Sequence, residues 1–156
     1  MTPAIIAAEL ANIPFTLHEY ENRPGAKSFA QEAAAALGID PRRVFKTLIA
    51  RLDGSDLVMV LVPADKQLDL KLLAAAAGAK RGELAEPAAA ERATGYVVGG
   101  ISPLGTRKVL PTLVDASAVD FPTIYISAGR RGLQLELPPR DLICFTHATT
   151  AAVAGR

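Results

Sequence analysis

Cysteine, histidine and tryptophan are scarce in this 156-residue sequence, which has one cysteine, two histidines and no tryptophan. The single cysteine, Cys144, excludes an intrachain disulfide, and no group of cysteines and histidines has zinc-site spacing, so we expect neither metal nor cofactor. No serine lies in a G-x-S-x-G elbow, and Cys144 is expected to be a small core residue of a helix. We therefore expect no nucleophile from the protein, and we expect His18 to be a surface or hydrogen-bonded histidine.

An excess of positive charge is also lacking, because 17 Lys and Arg residues oppose 16 Asp and Glu residues for a net charge of +1. Binding of long nucleic acid through phosphate neutralisation needs a larger positive charge, so any nucleic-acid contact should be small. The sequence has no apolar run of membrane-spanning length and no basic-then-apolar leader. We expect a cytoplasmic protein that makes no membrane contact.

Helix and strand patterns alternate along the chain without regular βαβ repetition. Helical patterns, most of them closed by a glycine, lie at 2–11, 28–38, 68–79, 87–95 and 139–154. Short apolar and β-branched runs predict strands at 15–20, 44–52, 57–63, 96–100, 112–116, 123–129 and 133–137, and a hairpin turn at 53–56. These patterns predict an α+β fold in one domain, 1–156, with a mixed, curved, barrel-like β-sheet and surrounding helices.

A lysine interrupts the apolar strand pattern "VFKTLI". Strand alternation places Lys46 on the same face as Val44 and Leu48. An unpaired ammonium in a dry core is costly, so Lys46 should point into a cleft or reach a partner. The alternative is a lysine whose ammonium extends to solvent from an edge strand.

Glycine is concentrated in the segment "GYVVGGISPLG", residues 95–105. Such glycines allow a ligand to approach the backbone, whose amides could bind an anion or a carbonyl group. The spacing fits neither a Walker A loop nor a dinucleotide fingerprint, and the alternative is a tight connection. A second glycine-rich turn, "SAGRRG" at 127–132, carries two arginines and is typical of a hairpin with exposed charge.

Five segments in order, "VFKTLI", "QLDLKLLAAAAGAK", "TGYVVGGISPLG", "LPTLVDA" and "IYISAGRRGL", resemble the bacterial YbaK-type Cys-tRNA(Pro) deacylases. These are free-standing relatives of the editing domain of prolyl-tRNA synthetases. The resemblance implies the editing-domain fold and an enzyme that acts in trans on the 3′ end of aminoacyl-tRNA, removing cysteine mischarged onto tRNA(Pro). Such editing is needed because a synthetase pocket cannot strongly reject a substrate of similar size. Prolyl-tRNA synthetase is a candidate partner.

The resemblance also implies a set of site residues. The lysine at Lys46 positions the substrate, and the backbone at Gly99 and Gly100 lies near the reacting carbonyl. Other positions that match the substrate pocket are Tyr20, Phe29, Thr47, Ile101, Ser102 and Ser127. The mechanism implied is substrate-assisted, with the thiol of the substrate attacking its own ester, so that no protein base or metal is required.

Two departures from the family pattern bear on selectivity. Gln134 stands where the family tends to carry an acidic residue, and the link "ENRPGAK", 21–27, differs from the usual histidine–acid sequence. Two other functions therefore stay open. One is a deacylase for another small amino acid such as alanine, and the other is a non-catalytic tRNA-binding module.

Overall fold

The computed structural model describes residues 1–21 and 28–156. Their helices are α1 (Pro3–Leu10), α2 (Phe29–Leu37), α3 (Leu70–Ala77), α4 (Pro87–Thr94) and α5 (Pro139–Thr146), with 3₁₀ turns at Pro41–Arg43 and Ala116–Asp120. Their strands are β1 (Thr16–Glu19), β2 (Phe45–Leu52), β3 (Asp56–Pro63), β4 (Gly82–Leu84), β5 (Thr112–Asp115), β6 (Ile124–Arg130), β7 (Leu133–Leu137) and β8 (Thr149–Ala151). Residues 22–27, most of the unusual link, lie outside the described residues.

The strands form two sheets. One has the order β4-β2-β3-β5-β8, with antiparallel pairs among its first three strands and parallel pairs from β3 to β5 and from β5 to β8. The other is antiparallel, in the order β1-β7-β6. The predicted mixed α+β fold is confirmed. Within residues 1–21 and 28–156 the two sheets do not close into a barrel, so the barrel-like detail of the prediction is not supported, and an isolated bridge between Val44 and Tyr125 links the sheets.

Several local predictions are confirmed by the backbone. The β2–β3 hairpin turns through Asp53 and Gly54, both with positive φ. Thr2 caps α1 by accepting a hydrogen bond from the Ile5 amide, and Ser28 caps α2 through the Gln31 amide. Side-chain oxygens at these positions satisfy amides that a helix leaves unpaired at its start.

The predicted strand at 96–100 is wrong. Here the chain turns instead, and the Gly100 amide donates a hydrogen bond of 2.8 Å to the Val97 carbonyl. The Tyr96 hydroxyl donates to the Leu104 carbonyl at 2.6 Å, holding the two ends of the loop together. These hydrogen bonds stabilise a folded-back loop, which a short apolar run does not reveal.

The C-terminal prediction is wrong in part, because α5 ends at Thr146 rather than continuing to 154. His147 adopts a left-handed conformation with φ of 54°, and β8 then pairs with β5. Strands β4 and β8, of three residues each, were not predicted. Cys144 is exposed rather than a core residue, because it lies on the solvent face of α5.

The main core is packed from the helices and both sheets, and its fully buried side chains include Phe45, Leu61, Ile126 and Leu135. His18 pairs with Glu136 at 2.9 Å, as expected for a hydrogen-bonded histidine. In the described residues, no helix has the length and apolar character needed to cross a membrane.

Candidate functional site

A cavity of about 720 Å³ is lined by residues from both sheets. Six consecutive residues, 44–49, belong to its lining; Val44 lies just before β2 and the other five form the start of that strand. This is possible because β4 pairs with β2 at Ala50–Leu52, leaving the preceding edge of β2 beside the cavity. Among the predicted site residues, the cavity brings together Tyr20, Phe29, Lys46, Thr47, Gly99, Ile101 and Ser127. The remaining two, Gly100 and Ser102, are buried and do not belong to its lining.

Lys46 is half-buried on the edge of β2 that borders this cavity. Burial lowers the pKa of its ammonium, and the more distant carboxylate of Asp65 partly opposes that effect. Among the described residues, no carboxylate lies within ion-pair distance of this ammonium. Lys46 belongs to the cavity lining, as the cleft prediction requires, and its position on a strand edge also fits the alternative of an ammonium that extends to solvent.

The glycine-rich loop packs its backbone tightly against its neighbours at two places. A Cβ on Gly100 would lie 2.7 Å from the Cα of Arg130, and the Gly100 carbonyl accepts a hydrogen bond of 3.1 Å from Ser127 Oγ. Gly99 has a φ of 99°, and a Cβ there would lie 2.9 Å from Phe29 Cε2. Glycine is therefore needed at both positions, at Gly100 for contact with β6 and at Gly99 for backbone conformation and contact with an aromatic ring.

The amides of this loop are not equivalent. The Gly100 amide is already engaged by the Val97 carbonyl, and the Val98 amide donates to Glu91 Oε2 at 2.8 Å. In the described part of the chain, the amides of Gly99 and Ile101 donate no hydrogen bond to the protein. Both of these residues line the cavity, so their amides are the ones that could receive a negatively charged oxygen.

Phe29, the first residue of α2, lies between the loop and an arginine. The Arg131 guanidinium carbon is 4.7 Å from the centre of the Phe29 ring, within the range of a cation–π contact. Arg131 also forms a two-pronged ion pair with the buried carboxylate of Glu32, at 3.0 and 2.7 Å. One arginine of the 127–132 turn is therefore held against α2, and not simply exposed as that pattern had suggested. Sequence reasoning missed Glu32 because nothing in a helical pattern marks which partner it meets.

Tyr20 and Gln134 also belong to the lining. Burial raises the pKa of the Tyr20 hydroxyl, while hydrogen bonds with the Gly132 backbone and the Gln134 side chain oppose that rise. Gln134 lies directly opposite Ser127 in the β6–β7 pair and is 6% exposed. Its Oε1 and the Oγ1 of Thr47 are buried and have no hydrogen-bond partner among the described residues.

Comparison with known proteins gives a consistent result. A family model described as "Aminoacyl-tRNA editing domain" matches residues 23–145. A protein of Enterococcus faecalis, whose name proposes a Cys-tRNA(Pro)/Cys-tRNA(Cys) deacylase, is 35% identical over 155 residues, covering 99% of this chain and 94% of the relative. An Escherichia coli protein named as a multifunctional Ser/Thr-tRNA deacylase is 29% identical over 144 residues, covering 90% of this chain and 83% of the relative.

A solved structure supports the fold. The crystal structure of a proposed trans-editing enzyme for prolyl-tRNA synthetase superimposes with a TM-score of 0.85 at 23% identity, over 99% of this chain and 96% of the other. At that identity the likeness establishes the architecture alone. The predicted editing-domain fold is thereby confirmed.

Proposed function

The chain belongs to the aminoacyl-tRNA editing domain family, and on that basis we propose that it is a trans-editing deacylase that removes cysteine from mischarged Cys-tRNA(Pro). The name of the E. faecalis relative, which aligns over 99% of this chain, supports this substrate. The structural observation that carries the proposal is that Lys46, Gly99 and Ile101 line one cavity, and that the amides of Gly99 and Ile101 donate no hydrogen bond among the described residues. A positive charge and two amides suit an ester carbonyl that becomes negatively charged as it reacts.

The aromatic residues of the lining provide a place for the terminal adenosine. Phe29 is 41% exposed with its ring fixed between Gly99 and Arg131, and Tyr20 lies at the same cavity. Stacking of a base on an aromatic ring contributes about 1–3 kcal/mol. In this arrangement the adenine stacks at Phe29 and Tyr20, and the aminoacyl group extends toward β2.

Lys46 acts as a positioning cation in this proposal. Its ammonium binds the oxygen atoms of the ribose or the terminal phosphate and so places the ester carbonyl against the Gly99 and Ile101 amides. It does not serve as a nucleophile, because the ester already carries one in the cysteine thiol. Correct placement of two reacting groups can by itself lower a barrier by several kcal/mol.

The bond changes in the proposed reaction are balanced within the substrate. The cysteine Sγ attacks the ester carbonyl carbon, and a C–S bond forms while the negative charge on the carbonyl oxygen is held by the loop amides. Collapse of this intermediate breaks the bond from the carbonyl carbon to the ribose oxygen. The proton lost by the thiol ends on that ribose oxygen, so the products are a cyclic thiolactone and free tRNA.

The test is release of labelled cysteine from Cys-tRNA(Pro), with Ala-tRNA(Pro) in parallel. We expect release from the cysteinyl ester alone and a loss of about 100-fold or more in Lys46→Ala, the size typical for removal of one stabilising group at a reacting centre. Lys71→Ala, which removes an exposed lysine of α3, is the matched control and should keep full activity. Turnover of the alanyl ester would exclude the thiol-assisted route, since alanine has no thiol. Tight binding without turnover of either ester would indicate a tRNA-binding module.

Prolyl-tRNA synthetase is the proposed partner. A net charge of +1 favours weak binding of tRNA by this chain alone. Sharing of the tRNA with the synthetase that mischarges it would raise the local concentration of substrate. Addition of prolyl-tRNA synthetase should then lower the KM for Cys-tRNA(Pro), and an unchanged KM would remove this partner from the proposal.

A further inference from the structure

Glu91, in the last turn of α4, joins this helix to the glycine-rich loop at two points. Its backbone carbonyl accepts a hydrogen bond of 2.8 Å from the amide of Gly95, the residue that caps the helix. Its side-chain Oε2 accepts a second hydrogen bond, also of 2.8 Å, from the Val98 amide. The helix therefore holds the loop both where it begins and at the residue immediately before Gly99.

The contact with Val98 is the interaction that the Glu91 carboxylate makes with the rest of the protein. Among the described residues, Glu91 forms no ion pair, and the Val98 amide is its hydrogen-bond donor. A hydrogen bond to an ionised carboxylate is roughly twice as strong as one between neutral groups. The side chain is therefore suited to fix a loop that belongs to neither sheet.

The residues that Glu91 holds lie at the substrate cavity. Val98 and Gly99 belong to its lining, as does Ala90 of α4. Gly99 also packs against an aromatic ring, since a Cβ there would lie 2.9 Å from Phe29 Cε2. Because the peptide group is planar and each residue has two soft torsions, the placement of Val98 restricts the placement of the next amide. Loss of the Glu91 contact would therefore reach the Gly99 amide.

We propose that Glu91 is a positioning residue for the reaction, whose carboxylate holds the Val98 amide so that the adjacent Gly99 amide stays free for the ester carbonyl. Glu91 itself does not touch the substrate and transfers no proton. This inference rests on the proposed function for the identity of the ligand. The Gly99 amide binds the negative charge that develops as the ester reacts, so a change at Glu91 should affect kcat more than KM.

The experiment compares two substitutions of Glu91. Glu91→Gln keeps a carbonyl oxygen as acceptor, whereas Glu91→Met keeps the length of the side chain with only a weakly accepting sulfur. Glutamate, glutamine and methionine are all good helix formers, so α4 is retained. Steady-state release of cysteine from Cys-tRNA(Pro) gives kcat and KM separately. We expect Glu91→Met to lower kcat about 10-fold with KM nearly unchanged, and Glu91→Gln to keep about half of the wild-type kcat or more.

Glu86→Met, at the start of the same helix, is the matched control. The Glu86 carboxylate is exposed and pairs with Arg51 at 2.9 Å, and neither residue belongs to the cavity lining. An exposed ion pair contributes little to stability, so kcat should be unchanged in this variant. An equal loss of kcat in Glu86→Met, a loss confined to KM in Glu91→Met, or a Glu91→Gln variant as impaired as Glu91→Met would each overturn the proposal.

Hydrogen exchange distinguishes failure of this inference from failure of the proposed function, because it requires no turnover. Exchange of the Val98 amide, followed by NMR, should be about 10-fold faster in Glu91→Met than in the wild type and near the wild-type rate in Glu91→Gln. An unchanged rate in Glu91→Met would refute the positioning role whatever the activity. If the wild type releases no cysteine while the Val98 amide responds as expected, the proposed function is wrong, and the role in the reaction falls with it although the loop contact stands.

Discussion

Replacement of Thr47 by valine is predicted to make the protein more stable. The buried Thr47 hydroxyl oxygen has no hydrogen-bond partner among the described residues, and an unpaired buried polar group costs about 1–3 kcal/mol. Valine has nearly the same shape, and both residues are β-branched, so the preference for the strand is retained. The free energy of unfolding should therefore rise by about 1–2 kcal/mol, allowing for incomplete relief of that cost.

Thr94→Val is the matched control with the opposite expected sign. The Thr94 hydroxyl is also buried, but it donates to the Ala90 carbonyl at 2.8 Å and accepts from the Tyr96 amide at 3.2 Å. Valine removes both hydrogen bonds and leaves the Tyr96 amide unpaired. The free energy of unfolding should fall by about 1–3 kcal/mol.

The assay is chemical and thermal unfolding of both variants beside the wild type under one set of conditions. In a chain of this size 1 kcal/mol corresponds to a shift in Tm of about 2–4 °C, so the two variants should shift in opposite directions by measurable amounts. If Thr47→Val is destabilised as Thr94→Val is, the Thr47 hydroxyl has a partner in the folded protein.

Three other perturbations follow from the site. Glu32→Gln weakens the anchor of Arg131 and should lower kcat/KM about 10-fold through misplacement of Phe29, more than it lowers the Tm; an equal loss in Glu83→Gln, an exposed site on β4, would contradict this. Burial lowers the pKa of Lys46, so ligand binding that depends on its charge should weaken as pH rises through a value below 10.5. Calorimetry at a series of pH values should show this loss of affinity in the wild type and not in Lys46→Met. Gly99→Ala should lower the free energy of unfolding by about 1–3 kcal/mol, because Gly99 has a positive φ, and should also displace the Phe29 ring. An unchanged affinity for an uncleavable ligand, 3′-amino-3′-deoxyadenosine joined to an amino acid by an amide bond, would contradict the second effect.

The lowered pKa of Lys46 makes the free energy of unfolding depend on pH in a definite direction. Its pKa is lower in the folded than in the unfolded chain, so the unfolded chain binds the proton first as pH falls below 10.5. Lys46 therefore costs stability at neutral pH, and that cost disappears only at pH values above 10.5. Lys46→Met should be more stable than the wild type at pH 7 and should lose this advantage at high pH.

Local signals predicted the helices and the longer strands well. The apolar, β-branched runs at 44–52 and 57–63 on either side of "DGSD" were enough for the β2–β3 hairpin, since a turn with positive φ at Asp53 and Gly54 sets the register. Cap residues such as Thr2 and Gly95 act within one helical turn, so they can be recognised in the sequence.

The missed elements depend on contacts between distant residues. Strands β4 and β8 are three residues long, and each exists because a longer strand pairs with it. The loop at 96–100 resembles a strand in composition, but the hydrogen bond from Tyr96 to Leu104 folds it back. No pattern of period two or 3.6 contains that information.

The site residues likewise divide into those that a local sequence signal reveals and those that depend on contacts between distant residues. Lys46 was identified from a local conflict, a charge within an apolar strand. The partners that position the ligand were not, because the pair of Glu32 and Arg131 is 99 residues apart in sequence. The resemblance supplied positions for Gly100 and Ser102, whereas the structure places both outside the cavity lining.

The site concentrates features that lower stability. Lys46 is half-buried and beyond ion-pair distance of any described carboxylate, Gly99 has a φ of 99°, and both residues line one cavity. Both features would be disfavoured in a core selected for stability alone, and each provides something that a reacting ester needs, a positive charge at Lys46 and an unengaged amide at Gly99. Lys46→Met should therefore separate the two properties, gaining stability at neutral pH while losing affinity for the aminoacyl ligand.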